Sequence, residues 1–190
     1  GQLDVDQTLL VYQAAGEAVN DFSSVATRCI LASTSGVLCE RVGITGDVLV
    51  SWQTAEVPGI SVQRAELTCN GTASRTLTLP RPVDTTRSFA TYAVRQTGAY
   101  FSANDAFAAT LTGAGIDFQW AAACDETAAV TAQVVEWPGT TVARGNLGLD
   151  AGVSRAQTPN LATTQSAFAL ATWSTSAGIA DAPCASMLRV

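Results

Sequence analysis

A fifteen-residue stretch of this chain occurs twice, without a gap, at an offset of 80 residues. Val50-Ser51-Trp52-Gln53-Thr54-Ala55-Glu56-Val57-Pro58-Gly59-Ile60-Ser61-Val62-Gln63-Arg64 returns as Val130-Thr131-Ala132-Gln133-Val134-Val135-Glu136-Trp137-Pro138-Gly139-Thr140-Thr141-Val142-Ala143-Arg144, identical at seven of fifteen positions. The identities include Glu-x-Pro-Gly and a following Val-x-Arg. Self-similarity at a fixed long period means that copies of one supersecondary unit pack against each other. The repeated motif reads as a strand ending on Glu, a tight turn over Pro-Gly, and a second strand leaving through Val to Arg. On such a hairpin Glu56 is expected to pair with Arg64, and Glu136 with Arg144.

A second element recurs around the motif. Thr86-Arg87-Ser88-Phe89-Ala90-Thr91-Tyr92-Ala93 resembles Gln165-Ser166-Ala167-Phe168-Ala169-Leu170-Ala171-Thr172-Trp173, with a fainter version at Val25 to Ala32. This divides the chain into an N-terminal segment (1–24), two units (about 25–87 and 88–166) and a partial third element (167–190). A fractional repeat has two outcomes. The first element pairs with the last and closes the fold, or the incomplete unit presents a sheet edge to a neighbouring subunit. Head-to-tail filling that does not close gives a filament. The N-terminal segment is the candidate donor strand, because Leu3, Val5, Leu9 and Val11 give it a largely alternating apolar set.

Strand signals run along the whole chain. Val48 to Ala55 alternates in the β manner, with Val48, Val50 and Trp52 on one face. Ile60 to Cys69 runs into Asn70-Gly71, a strong short hairpin signal, and Thr72 to Leu79 returns before Pro80-Arg81-Pro82. Ser88 to Gln96, Gly115 to Ala122, Ala128 to Trp137, Thr140 to Leu147 and Ala167 to Ser174 also read as strands. Gln7 to Ala18 fits a strand or a short helix, and Ala-rich Asn104 to Leu111 fits a helical turn. The fold class expected is all-β, a β-sandwich of immunoglobulin-like or jelly-roll-like type built from the repeat.

Composition narrows the function. Hydrophobic residues make up 47% and charged residues 14%, against about 25% charged in an ordinary soluble domain. This predicts a surface covered by neighbours or solvated by Ser and Thr. All ten basic residues are Arg, and there is no His. Without Lys there is no Schiff base, no P-loop lysine and no Lys–Asn isopeptide bond. Without His the usual general base and metal ligand are missing, and no Ser–His–Asp or Cys–His set can form. A net charge of −6 without a basic stripe sets nucleic acid aside. No apolar run approaches the roughly 20 residues of a membrane span. A chain opening on Gly1 is expected of a processed product.

Five cysteines in a Ser-, Thr- and Ala-rich chain point to an oxidising compartment, and so to a secreted or cell-surface protein. Cys29 and Cys39 flank Ser33-Thr34-Ser35-Gly36 almost symmetrically and are expected to be cross-strand partners. Of Cys69, Cys124 and Cys184, two are expected to pair, either Cys124 with Cys184 or Cys69 with Cys124.

Candidate chemistry beyond this is sparse, and no catalytic residue, metal ligand or cofactor is expected. A glycosidase would need two carboxylates across a cleft, and Asp117, Asp125, Glu126 and Glu136 are the candidates. Trp52, Trp120, Trp137 and Trp173 with Tyr92 and Tyr100 either form a sugar-stacking platform or fill a sandwich core. Trp52 aligns with Ala132 and Val57 with Trp137, and a large residue that changes place between units favours the core. Asn104-Asp105 and Asp125-Glu126 lack the ligand ladder of a calcium loop. Asn70-Gly71-Thr72 matches a glycosylation sequon but is also the hairpin turn.

The Trp-Gln-x-x-Glu-x-Pro-Gly-x-x-Val-Gln-Arg pattern from Trp52 to Arg64 resembles one found in uncharacterised tandem-repeat secreted β proteins of environmental bacteria. In architecture and composition the chain is also similar to β-sandwich subunits of extracellular filaments assembled by donor-strand complementation. That resemblance implies a non-covalent, pilus-like homopolymer in which a terminal strand of one subunit completes the next subunit's sheet. The function expected is a non-enzymatic structural subunit of an extracellular filament or surface assembly. The alternative is a secreted carbohydrate-binding or adhesin module that recognises surface glycans.

Overall fold

The computed structural model describes residues 2–16, 22–98 and 102–145. Ten strands follow one another: β1 (Thr8–Gly16), β2 (Arg28–Ser33), β3 (Gly36–Glu40), β4 (Val48–Glu56), β5 (Ser61–Thr68), β6 (Ser74–Thr78), β7 (Ser88–Arg95), β8 (Phe107–Leu111), β9 (Gly115–Trp120) and β10 (Ala129–Glu136). Helical structure among the described residues is a 3-10 turn at Val5–Gln7 and one helical turn, α1 (Phe22–Val25). The chain is an all-β, sandwich-like protein. Of the ambiguous segments, Thr8–Gly16 and Phe107–Leu111 are strands, while Asn104 and Asp105 lie in a turn that the Asp105 amide closes on the Ser102 carbonyl at 3.1 Å. Thr8–Gly16 is held along its whole length by β4. Phe107–Leu111 pairs with β9 and buries Phe107 and Leu111, which outweighs the helix propensity of its alanines.

All strand pairs are antiparallel. They form the sheets β1-β4, β2-β3, β5-β10-β7 and β6-β9-β8. The last two enclose the main core, with Leu67, Leu77, Phe107, Ile116, Phe118, Trp120, Val130 and Val134 between them. Phe118 lies edge-on to Phe107 and Tyr92, with ring centroids 5.0 and 5.6 Å apart. Burial in this core pushes the Tyr92 phenol up to about 12. A disulfide joins Cys69 at the end of β5 to Cys124 after β9. It therefore links the two sheets of the sandwich. A second disulfide, Cys29–Cys39, crosses the β2–β3 hairpin at directly opposed positions. Of the two pairings open to Cys124, the one with Cys69 forms, and Cys184 lies outside the described residues.

Two turns do less than the sequence suggested. Asn70-Gly71 is a turn, with Gly71 at φ 74°, but it does not close a hairpin. Its flanking strands go to opposite sheets, β5 beside β10 and β6 beside β9. The Pro-Gly turns behave likewise. Pro58 presets φ, Gly59 takes φ 86°, and the Ile60 amide donates to the Val57 carbonyl at 3.4 Å, which is a type II arrangement. Gly139 repeats it at φ 84°, with Thr140 donating to Trp137 at 3.2 Å. The turn after Glu56 is a corner: β4 lies beside β1, whereas β5 lies beside β10.

The expected ion pairs across these corners do not form. Arg64 donates to the carbonyls of Val5 (2.7 Å) and Thr8, and to the side-chain oxygen of Gln133 at 3.0 Å. Arg144 donates to the carbonyls of Thr85 and Ser88. Glu136 pairs with Arg87 at 2.6 Å, and Glu56 is in no ion pair among the described residues. The guanidinium fork finds carbonyls where a turn enters a strand, and these suit its several donors.

Those contacts fix where the repeat begins. Thr85 and Ser88 lie 80 residues after Val5 and Thr8, as Arg144 lies after Arg64. Asp4 accepts from the Asp6 amide at 3.0 Å, and Asp84 from the Thr86 amide at 2.9 Å. The hydroxyls of Thr8 and Ser88 each donate at 2.6 Å to the carbonyls of Asp4 and Asp84. Thr8 faces Glu56 in β1–β4, and Ser88 faces Glu136 in β7–β10. The repeat correspondence therefore reaches back to Asp4 and Asp84, and unit one is counted from Asp4 and unit two from Asp84. The N-terminal segment is the first strand of unit one. The partial third element, 167–190, lies outside the described residues.

Unit one packs on the outer face of sheet β5-β10-β7. The Gln133 side chain accepts from the Leu10 amide (3.1 Å) and donates to the Leu10 carbonyl (3.0 Å). Arg28 of β2 is buried, pairs with Glu40 and with Glu66 (2.5 Å), and donates to the Thr131 hydroxyl at 3.1 Å. Leu9, Val57, Phe89 and Trp137 close around Ile60, Val62 and Val135.

Candidate functional site

The two units share a strand plan but not a state of completion. In unit two, β10 is the middle strand of three, with β7 on one side and β5 on the other. In unit one the counterpart β4 has β1 on one side and no described strand on the other. Likewise β9 lies between β8 and β6, whereas β3 pairs with β2 alone among the described residues. The two strands that complete unit two, β5 and β6, come from the sequence of unit one. Unit one thus passes two strands forward, and among the described residues no strand takes the corresponding places beside β4 and β3.

Burial follows this difference. Every residue of β10 but Glu136 is buried, whereas no residue of β4 is. Trp52 is 53% exposed where its counterpart Ala132 is 0% exposed. Leu49 is 72% exposed where Ala129 is 0% exposed. The other large exposed apolar side chains among the described residues, Val11, Leu38, Val42 and Ile44, also belong to unit one. An open strand edge beside exposed apolar side chains is a template for another strand.

The four residues expected to donate a strand from the N-terminus are engaged within their own chain. Leu9 and Val11 lie in β1, opposite Ala55 and Gln53 of β4. The Val5 carbonyl accepts from Arg64, and the Leu3 amide donates to the Thr34 carbonyl at 2.9 Å. A strand paired in this way over nine residues is not the free element that donation to a neighbour needs.

The donor-type segment lies elsewhere. Residues 141–145 stand 80 after 61–65. Their counterparts in β5 are covered by β10, with Val62 and Gln63 buried. In 141–145 no strand partner is present among the described residues, and Thr141, Ala143, Arg144 and Gly145 are exposed. The segment is nonetheless placed as β5 is: the Val142 amide donates to the Thr86 carbonyl at 2.8 Å, and Arg144 grips the start of β7. Partial burial draws the Arg144 guanidinium below its ordinary value, and stronger burial does the same to Arg64.

The carboxylate candidates are engaged locally. Asp117 accepts from the Thr76 hydroxyl at 2.7 Å, Asp125 from the Asn104 amide at 2.7 Å, and Glu136 is held by Arg87. Asp105, weighed in the sequence only as a calcium ligand, is the unusual acid. It is buried, accepts from the Ser102 amide at 2.5 Å, and has one oxygen without a partner. Burial pushes its carboxyl up to about 6 against the pull of the Ser102 hydrogen bonds, with Asp125 adding to the rise.

The aromatic candidates do not assemble into a platform among the described residues. Trp120 and Tyr92 belong to the core and Trp137 packs on the smaller cluster, which leaves Trp52 exposed. Tyr100 and Trp173 lie outside the described residues. A shallow depression of about 690 Å³ on sheet β6-β9-β8 is lined by Arg75, Thr76, Thr110, Asp117 and Gln119, without an exposed ring. No group of three or more acidic or cysteine side chains is arranged to hold a metal among the described residues. No helix there is long and apolar enough to cross a membrane. No protein-family model, curated protein or solved structure matches the chain.

Proposed function

We propose that this protein is a non-enzymatic structural subunit of an extracellular filament or surface assembly, joined by strand complementation between subunits. The observation that carries the reading is the contrast between β4 and β10. The same strand in the same register is sealed in one unit and, among the described residues, unpaired on one edge in the other, with Trp52 and Leu49 turned out to solvent. Strand addition at such an edge gains main-chain hydrogen bonds and covers apolar area together. Two disulfides and a low fraction of charged residues fit an extracellular, neighbour-covered surface. The glycan-binding reading gains little support, because an exposed Trp52 alone makes no stacking platform.

Electron microscopy and sedimentation of the purified native protein test the proposal. Fibres or concentration-dependent oligomers are expected. A monomer across the accessible concentration range refutes it.

A further inference from the structure

We infer that a second copy of this chain fills the open edge of β4 with its residues 141–145, in the register by which β5 already joins β10. The inference rests on the assembly reading above and names its donor strand and pairing.

The chain performs this union once within itself. In β5–β10, Arg64 faces Gln133 and Ala65 faces Ala132. Moving the β10 positions back by 80 and the β5 positions forward by 80 places Arg144 opposite Gln53 and Gly145 opposite Trp52.

Two features make that transposed pairing specific. Gln133 and Arg64 are bonded at 3.0 Å across the joint between units. Gln and Arg are also among the seven repeated identities, so Gln53 and Arg144 carry the same two groups. Arg144 already makes the two carbonyl contacts that Arg64 makes, and its equivalent of the third bond has no acceptor among the described residues.

The second feature is volume. Inside the chain a small residue faces a small one, Ala65 on Ala132. At the transposed position the bulky Trp52 faces Gly145, around which an added Cβ would meet no atom within 4 Å. The size that enters on one strand is removed on the other, as cross-strand packing requires. Donor and acceptor lie on different surfaces, so the contact is heterologous and propagates head to tail.

Cysteine cross-linking tests the register. Opposed positions on antiparallel strands bring Cα atoms to about 4.5–5.5 Å, within the span of a disulfide, as Cys29–Cys39 shows within the chain. In a Cys184→Ser background, Trp52→Cys and Gly145→Cys chains are mixed and oxidised. A disulfide-linked dimer of the two variants is expected, and the double variant should give a ladder of oligomers. Leu49→Cys mixed with Gly145→Cys, three residues out of register, should lose the cross-link. Separately, Gln53→Arg sets two guanidinium groups against each other and should abolish assembly without lowering the monomer's melting temperature.

Fibres of the native protein without a 52–145 cross-link overturn the donor and register but leave the assembly reading intact. Absence of both fibres and cross-link removes both. A 52–145 cross-link confined to single monomeric chains shows that the chain fills its own edge, and overturns the second copy. Assembly unchanged by Gln53→Arg also counts against the pairing.

Discussion

β4 and β10 are the same strand in sequence plan and different strands in environment. Both end on Glu at a Pro-Gly corner, and both pair with the strand that opens their own unit. β10 also receives β5 on its free edge and sheet β6-β9-β8 over one face, and it is buried almost throughout. Among the described residues β4 receives neither, and its side chains stay in water or half-covered. Burial is therefore a property of what the neighbouring unit contributes, not of the strand's own residues.

The comparison can be broken most severely at matched positions. Val134→Asp places an unpaired charge in the sealed core and should cost about 4 kcal/mol or more, enough to prevent folding. The counterpart Thr54→Asp should cost less than about 1 kcal/mol in the monomer. Urea melts of the two variants give the answer directly, and equal losses would mean that unit one is as closed as unit two.

The disulfides come next. Cys69–Cys124 closes a separation of 55 residues and Cys29–Cys39 one of 10. Loop entropy puts their removal at about 4 and about 3 kcal/mol. Serine double variants compared by thermal melting should show the larger loss, and a less cooperative transition, for the link that ties the sealed sandwich together.

Arg28 holds the two units against each other. Arg28→Met should cost about 2–3 kcal/mol, because Glu66 and Glu40 lose a charged partner. Hydrogen exchange should then accelerate in β1 to β4 and change little in β7 to β10. Uniform acceleration would show that the units unfold as one.

The smallest effect concerns pH. Burial raises the Asp105 carboxyl to about 6 in the fold, above the value near 4 of an unfolded chain. Its protonated form therefore favours the folded state. That contribution is full below about pH 4 and is lost as pH rises through about 6. Asp105→Asn should raise the melting temperature at pH 7 by a few degrees and flatten its dependence between these values. A variant that melts lower at pH 7 would mean that the Ser102 bonds to the carboxylate outweigh the burial.

The β class and the period of the repeat were legible in the sequence, because alternation and the Glu-x-Pro-Gly corner are local. The extension of the repeat back to Asp4 and Asp84 was not. From residues 4–16 to 84–96, Asp4 and Tyr12 recur as Asp84 and Tyr92, with Ser88 in place of Thr8. The hydrogen bonds that define this start run mainly to backbone atoms, which leaves little trace in side-chain identity. The expected Glu56–Arg64 and Glu136–Arg144 pairs failed for the same reason. The carbonyls that Arg64 and Arg144 prefer are invisible in the sequence. The donor role given to Leu3, Val5, Leu9 and Val11 followed from their alternation, which shows that a strand forms but not which strand it joins.

The sequence by itself determined the local geometry: left-handed Gly59, Gly71 and Gly139 at the turns, alternating strands between them, and Cys29 opposite Cys39. Only the tertiary structure decided that Asn70-Gly71 and Pro58-Gly59 send their strands to different sheets. It also decided that β5 and β6 complete the following unit, and that β4 has one edge without a strand partner among the described residues. A turn fixes φ and ψ over four residues, whereas strand partners are chosen by burial and backbone pairing across the whole chain.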